Sequence, residues 1–193
     1  MHIRKETATD YEAVYSVVKR AFESAEHADG NEQDLVNALR KGDAFIPELS
    51  LVAEADGKIV GHIMFTRATV DGKPVLALAP LSVLPEYQRK GIGKALIQEG
   101  HKIAKELGYT HAIVLGSEKY YPKSGYSPAE GSNTLQSLAL NDTTFPKVGY
   151  GTNKYKPKKA TQPERGPEAW AFSIYGYSVK SSEVSATSLS KSL

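Results

Sequence analysis

The sequence predicts a mixed α/β fold built around one sheet. Three observations carry this reading. Two amphipathic helical stretches come first. β-Rich segments meeting at Asp56-Gly57 then read as an antiparallel hairpin. Last, an apolar strand, a helix and a second apolar strand follow one another as in a parallel crossover unit. The order αα-βββ-α-β-α therefore puts both strand senses into one sheet.

Each element has its own signal. Thr9, with Glu12 three residues on, forms a capping-box pattern. Tyr11, Val14, Tyr15, Val18 and Phe22 then recur at helical spacing, which predicts a first helix ending near Phe22. Glu23 to Gly30 is acidic and polar, and reads as a loop. Asn31 is a second N-cap candidate, and Leu35, Val36 and Leu39 make a short amphipathic helix after it. Residues 49–54 and 58–66 are strands about the Asp56-Gly57 turn, and Asp71-Gly72 marks the next reversal. Val75 to Val83 is an almost continuous apolar run, the pattern of a strand buried on both faces. A third helix covers residues 92–107, with apolar positions at 92, 96, 103, 104 and 107, and Gly108 stands at its C-cap. Ala112 to Leu115 is another buried strand. A brief helix through Tyr120 and Tyr121 follows, with Tyr120 and Tyr126 read as core.

Composition narrows the class. A chain of 193 residues is long enough for one sizeable core, with or without a tail. No apolar run approaches the ~20 residues of a membrane helix, and Met1 to Glu6 lacks the apolar segment of a signal peptide. The sequence has no Cys, which excludes disulfides, thiolate metal sites and a cysteine nucleophile and suits a reducing cytoplasm, the expected location. Residues 1–129 hold 16 Lys and Arg against 17 Asp and Glu; residues 130–193 hold 8 against 5. That excess is too thin to argue for nucleic acid. The sequence thus divides into a core of 1–129 and a divergent C-terminal segment of 130–193. Within the latter, Gly149 to Pro167 is dense in Gly, Pro and Lys and Ser181 to Leu193 is mostly Ser, compositions expected to be disordered. Leu135–Leu140 and Trp170–Tyr177 are its strand candidates.

The most informative stretch is Leu81-Ser82-Val83-Leu84-Pro85-Glu86-Tyr87-Gln88-Arg89-Lys90-Gly91-Ile92-Gly93-Lys94. It reads as a buried strand, a basic Gly-rich turn and the start of a helix. Helix N-termini carry unpaired N–H donors and partial positive charge, so this turn is a seat for phosphates. Gly91 and Gly93 lack a Cβ that would hold a ligand off the main chain. A P-loop is excluded, because it needs Gly at Gln88 and Ser or Thr at Ala95. A dinucleotide fingerprint is excluded too, because it needs Gly at Leu96 and should open the first strand–helix unit.

Gln88-x-x-Gly91-x-Gly93, preceded by a strand ending Val83-x-Pro85, resembles the acetyl-CoA motif of the GNAT superfamily of N-acetyltransferases. Tyr120-Tyr121-Pro122-Lys123-Ser124-Gly125-Tyr126 is similar to that family's aromatic-Tyr-x-Lys-x-Gly-aromatic signature. The resemblance covers residues 3–129 and implies a GNAT-like acyl-CoA N-acyltransferase fold. It further implies transfer of an acetyl group from acetyl-CoA to a primary amine, by direct attack in a ternary complex. On that basis Gln88, Arg89, Lys90, Gly91, Ile92, Gly93 and Lys94 bind the CoA pyrophosphate. The main chain of Leu81-Ser82-Val83, on a bulged strand splayed from its neighbour, pairs with the pantetheine arm and polarises the thioester carbonyl. Tyr121 matches the residue that protonates the departing thiolate. A phenol of pKa ≈ 10 keeps its proton at neutral pH; packing alone is the other reading of this side chain.

No base emerges. Relatives often carry a carboxylate early in the strand before the CoA loop, where this chain has Ala77, or on the following strand, where Ala112-Ile113-Val114-Leu115 offers none. Glu26, His27, Glu32, Glu118 and His62 are the candidates, beside a bound water. Glu26 and Glu32 fit a solvated face, and His62 fits a core histidine. His27, His62, His101 and His111 show no metal-site spacing, so no metal is expected, and His101 with Lys102 reads as an exposed polar face. The acidic stretch Glu23, Glu26, Asp29, Glu32, Asp34 is either solvated or suited to a cationic amine. The amine itself is unspecified, and a homodimer is a form this fold often takes. Two further readings stay open: an acyl-CoA-binding module without turnover, and a basic tail docking on an acidic partner or RNA.

Overall fold

The computed structural model of the chain describes residues 1–23, 30–70, 73–117, 119–128 and 135–140. Seven strands form one sheet: β1 (His2–Lys5), β2 (Phe45–Ala55), β3 (Lys58–Val70), β4 (Lys73–Val83), β5 (His111–Leu115), β6 (Ser127–Pro128) and β7 (Leu135–Ala139). Their spatial order is β1-β2-β3-β4-β5-β7-β6. Helices α1 (Tyr11–Phe22) and α2 (Glu32–Lys41) precede β2, and α3 (Ile92–Glu106) joins β4 to β5. The β4–β5 pair is parallel and the other pairs are antiparallel. The mixed sheet expected from the sequence is therefore present.

Differences from expectation sit at the ends of elements. β1 carries no sequence signal, because its four residues hold one apolar side chain, Ile3; it forms by pairing as an edge strand along Leu51–Glu54. The capping interaction falls before Thr9 and Glu12. The Asp10 carboxylate accepts the Thr7 N–H and the Thr7 hydroxyl, each at 2.8 Å, and Arg4 clamps it at 2.7 and 2.9 Å. Asp10 then becomes the N-cap of α1. Asn31 caps α2 by position, without a side-chain hydrogen bond. Asp56 and Gly57 both adopt positive φ, 52° and 71°, as a tight hairpin turn demands. β7 supplies a strand where Leu135–Leu140 was the candidate; Trp170–Tyr177 lies outside the described residues.

β4 departs most from its sequence pattern. Its residues are buried at Val75, Leu76, Leu78, Pro80 and Ser82 but only half-buried at Ala77, Ala79, Leu81 and Val83. For Ala79, Leu81 and Val83 the cause is topological. β5 pairs with β4 only over Leu76–Leu78, opposite Ala112–Val114, so the last five residues of β4 have no β5 neighbour. On the other edge, Phe65 faces Leu78 and Ile63 faces Leu81. Ala79 and Pro80 thus bulge against Met64 alone, bending β4 away from β5.

Two apolar layers cover the sheet. Leu49, Leu51, Ile63, Phe65 and Leu76 pack with Leu96 and Ile97 of α3, while Val52 and Met64 pack with Val14, Val18 and Val36 of α1 and α2. α3 comes close to the sheet at Gly100, where a β-carbon would sit 2.5 Å from the Phe65 ring. Among the described residues no helix is long and apolar enough to cross a membrane.

Candidate functional site

The turn after β4 is held by main-chain hydrogen bonds and by one of its own side chains. Leu84 N–H donates to Val60 O at 2.9 Å and Gln88 N–H to Pro85 O at 3.2 Å. Gln88 Nε2 reaches back to donate to Val83 O at 3.0 Å, so this glutamine staples the turn to the strand. Arg89 takes φ 59° and Gly91 φ 83°. Nothing lies within 4 Å of where a Gly91 β-carbon would be; its left-handed backbone, not crowding, calls for glycine.

α3 begins immediately after. Its first N–H groups, those of Ile92, Gly93 and Lys94, have no partner within the helix. Gly91 provides no side-chain cap, and no acidic residue lies in the first turn. Arg89, Lys90 and Lys94 are exposed around it, and Lys90 Nζ rests 5.1 Å above the Tyr87 ring. Unpaired donors, helix-end charge and three cations fit a pyrophosphate. Beside this end runs the length of β4 that pairs with β3 but not with β5. Leu81 and Val83 are half-buried, whereas Ser82 is 2 % exposed and its hydroxyl donates to His62 O at 3.4 Å.

The tyrosine turn closes onto the same place. Tyr121–Ser124 is a 3-10 turn ending in Gly125 at φ 92°. The Tyr121 ring rests on Gly116, just past the end of β5, where a β-carbon would come within 2.5 Å of it. Tyr120 and Tyr126 meet this ring edge-on at 5.2 and 5.6 Å. Tyr126 is core, 2 % exposed, as expected; Tyr120 is not, being 39 % exposed. Its hydroxyl instead lies against Gly93, where an added β-carbon would collide with it. Burial raises the pKa of Tyr120 and, more strongly, that of Tyr126. The two sequence motifs are thus brought into contact beside the splayed end of β4.

The base candidates separate. Glu26, His27 and Glu118 lie outside the described residues. His62 is a core residue, fully buried on the face covered by α1 and α2. Its Nε2 meets Ser50 Oγ at 3.2 Å and its Nδ1 has no hydrogen-bond partner among the described residues. Burial, and then the Arg40 charge, push its pKa down to about 3. Glu32 does not belong to a solvated face: it is 5 % exposed at the start of α2. His101 is likewise not an exposed polar residue. Its Nε2 hydrogen-bonds the Tyr126 hydroxyl at 3.0 Å, because Gly100 lets that side of α3 sink toward Phe65.

Sequence reasoning also missed a buried polar cluster. The Glu6 carboxylate pairs with Arg40 of α2, accepts the Ser50 hydroxyl at 2.6 Å and lies 3.9 Å from His62 Nε2. Four residues at positions 6, 40, 50 and 62 leave no local motif. Among the described residues no group of three or more His, Asp or Glu could hold a metal.

Comparison with known proteins identifies the family. The Acetyltransferase (GNAT) family model matches residues 11–126. The chain is 42% identical over 116 residues to the uncharacterised N-acetyltransferase YjhQ of Escherichia coli, a match covering 58% of this chain and 64% of YjhQ. It is 33% identical over 132 residues to the uncharacterised N-acetyltransferase YhbS of the same species, covering 67% of this chain and 75% of YhbS. A GNAT family acetyltransferase from Brucella melitensis, solved in complex with acetyl-CoA, superposes with a TM-score of 0.68 at 36% identity, covering 76% of this chain and 91% of that one. Escherichia coli YhbS in complex with CoA superposes at 0.65 and 30% identity, covering 73% and 82%. The chain belongs to the GNAT acetyltransferase family.

Proposed function

We propose that this chain is an acetyl-CoA-dependent N-acetyltransferase that acts on a primary amine by direct attack in a ternary complex. The observation that carries this reading is the meeting of Tyr120 and Tyr121 with the uncapped start of α3, beside the length of β4 that β5 leaves unpaired. Acetyl-CoA supplies the activated acyl group: the C–N bond forms as the C–S bond breaks, the amine loses a proton and the sulfur gains one.

The residues divide that work. The Ile92, Gly93 and Lys94 N–H groups, with Arg89 and Lys90, hold the pyrophosphate, and Gly91 gives the turn its left-handed backbone. Gln88 acts at one remove by fixing the turn to Val83. On its edge away from β3 the main chain of Leu81-Ser82-Val83, apart from the Val83 carbonyl that Gln88 holds, pairs with an extended arm, and an N–H aimed at the thioester carbonyl would contribute a few kcal/mol. Tyr121 carries the proton for the departing thiolate at its hydroxyl. We assign no base; an amine with a pKa near neutral needs only water. The Brucella and Escherichia coli structures, which contain acetyl-CoA and CoA, support the choice of donor.

A second reading, an acyl-CoA-binding module without turnover, is favoured by one feature: His62, one of the two histidine candidates for the base, is sealed in the core. One experiment separates the two. Calorimetric titration of acetyl-CoA is run beside a thiol-release assay with a broad amine panel. Binding with release supports the transferase, binding without release supports the module, and no binding defeats both.

A further inference from the structure

We infer that His101 is a positioning residue for Tyr121, acting through the hydroxyl of Tyr126. The inference rests on the reading of Tyr121 as the acid.

Three surfaces confine the Tyr121 ring, and they differ in firmness. Gly116 backs it from the end of β5. Tyr120 meets it at 89°, but is 39 % exposed and its hydroxyl has no hydrogen-bond partner among the described residues. Tyr126 meets it at 71°, is 2 % exposed, and is held from behind by His101 Nε2 at 3.0 Å. Tyr126 N–H also donates to Tyr121 O at 3.4 Å, closing the turn on itself. The firm wall is therefore Tyr126, whose one side-chain hydrogen bond among the described residues joins it to α3.

His101 is itself fixed. Its ring lies 6.0 Å from that of Phe65, which is fully buried against Gly100. Burial, and then the charge of Lys105, push its pKa down to about 4, while the Tyr126 phenol is held protonated by burial and by Tyr121. A neutral imidazole and a neutral phenol share the bond. Of the other cations on this helix, Lys102 pairs with Glu99 at 3.3 Å.

The connection gives the acid a reference. Covalent bonds cap the reach from the CoA pyrophosphate to its sulfur, and an arm extended along β4 uses that reach. A residue that meets the sulfur must be placed relative to the phosphate seat, which is the start of α3. His101 stands on that same helix, nine residues past Ile92 and therefore about 14 Å along its axis. Packing alone would be met by an apolar side chain at 101; a ring nitrogen at hydrogen-bond distance from a buried phenol does more.

The test needs no knowledge of the amine. Protein labelled with 13C at tyrosine Cζ is titrated with acetyl-CoA, and the Tyr121 signal is assigned by its loss in Tyr121→Phe. The parent should show a Tyr121 shift on binding. His101→Ala and Tyr126→Phe should lose at least half of that shift with acetyl-CoA affinity within twofold of the parent, and His101→Gln should restore it. With any amine found active, kcat should fall about 10- to 100-fold in His101→Ala with little change in KM for acetyl-CoA. In a Tyr121→Phe background the same substitution should cost nothing further. A Tyr121 response equal in parent, His101→Ala and Tyr126→Phe overturns the inference. A parent that binds acetyl-CoA with no change at Tyr121 removes the acid reading and this inference with it, while leaving the phosphate seat intact. If His101→Ala unfolds, Tyr126→Phe, which removes only an oxygen, decides on the same readout.

Discussion

Gly93 is glycine because of Tyr120. A β-carbon there would collide with the Tyr120 hydroxyl, while the ring carbon bearing that hydroxyl would remain at an ordinary 3.7 Å. The Gly-rich start of α3 and the tyrosine turn therefore meet through a missing methyl group. Gly93→Ala should cost about 1–3 kcal/mol through overpacking and weaken acetyl-CoA binding. Tyr120→Phe should relieve most of that cost, so the double variant should be more stable to urea than Gly93→Ala alone. Additive losses would show that the contact is not the constraint.

Tyr121→Phe separates the acid from the packing. Ring contacts with Gly116, Tyr120 and Tyr126 persist, but the proton donor is gone. Turnover should fall by about 10²–10⁴, with acetyl-CoA affinity within twofold by calorimetry. Turnover equal to the parent would leave Tyr121 as a packing residue.

At Gly91 the backbone and the ligand make different demands. Its φ of 83° strains most side chains, yet the space around it is open. Asn tolerates the left-handed region better than other residues, so Gly91→Asn should keep acetyl-CoA binding close to the parent. Gly91→Glu places a carboxylate at the phosphate seat and should weaken binding at least about tenfold, or 1.4 kcal/mol. Equal affinities for the two variants would put the phosphates elsewhere.

Glu6 and Arg40 form a buried pair, with side chains 1% and 5% exposed. Removing one partner strands the other charge. Arg40→Met should destabilise by about 3–5 kcal/mol, partly recovered when Glu6→Gln is added. Urea midpoints of the two singles and the double measure the coupling.

His62 predicts a pH dependence of stability. Its pKa is about 3 in the fold against an ordinary 6.5. Between these values the unfolded chain takes a proton that the folded chain refuses, so stability is full above pH 6.5 and falls as the pH drops toward 3. One such proton contributes at most about 1.4 kcal/mol per pH unit. His101, at about 4, acts in the same direction over the upper part of that window. His62→Gln should flatten the urea-stability profile between pH 6 and 4 without abolishing its slope; an unchanged slope would mean that His62 takes up its proton in the fold.

The two motifs were readable because each works through neighbours in the chain. A helix start needs its glycines and cations within a few residues, and the Tyr120–Tyr126 turn closes through its own main chain. The hairpin, α1, α2 and α3 were readable for the same reason: their signals are local periodicities and turn residues. Even so, the sequence offered a role for Gly93 in terms of the ligand, whereas its crowded neighbour stands 27 positions away.

What the sequence determined by itself was the order of α1, α2, β2 to β5 and α3, the Gly-rich turn into α3 and the tyrosine turn. Tertiary structure alone decided that β5 leaves β4 after Leu78, which opens one edge of an apolar strand. It alone decided that His101 is buried against Tyr126 rather than solvated, and that Glu6, Arg40, Ser50 and His62 share one buried cluster. The physical reason is common to all three. Burial and long-range pairing depend on which surfaces the sheet and helices bring together, and the spacing of residues along the chain does not encode that.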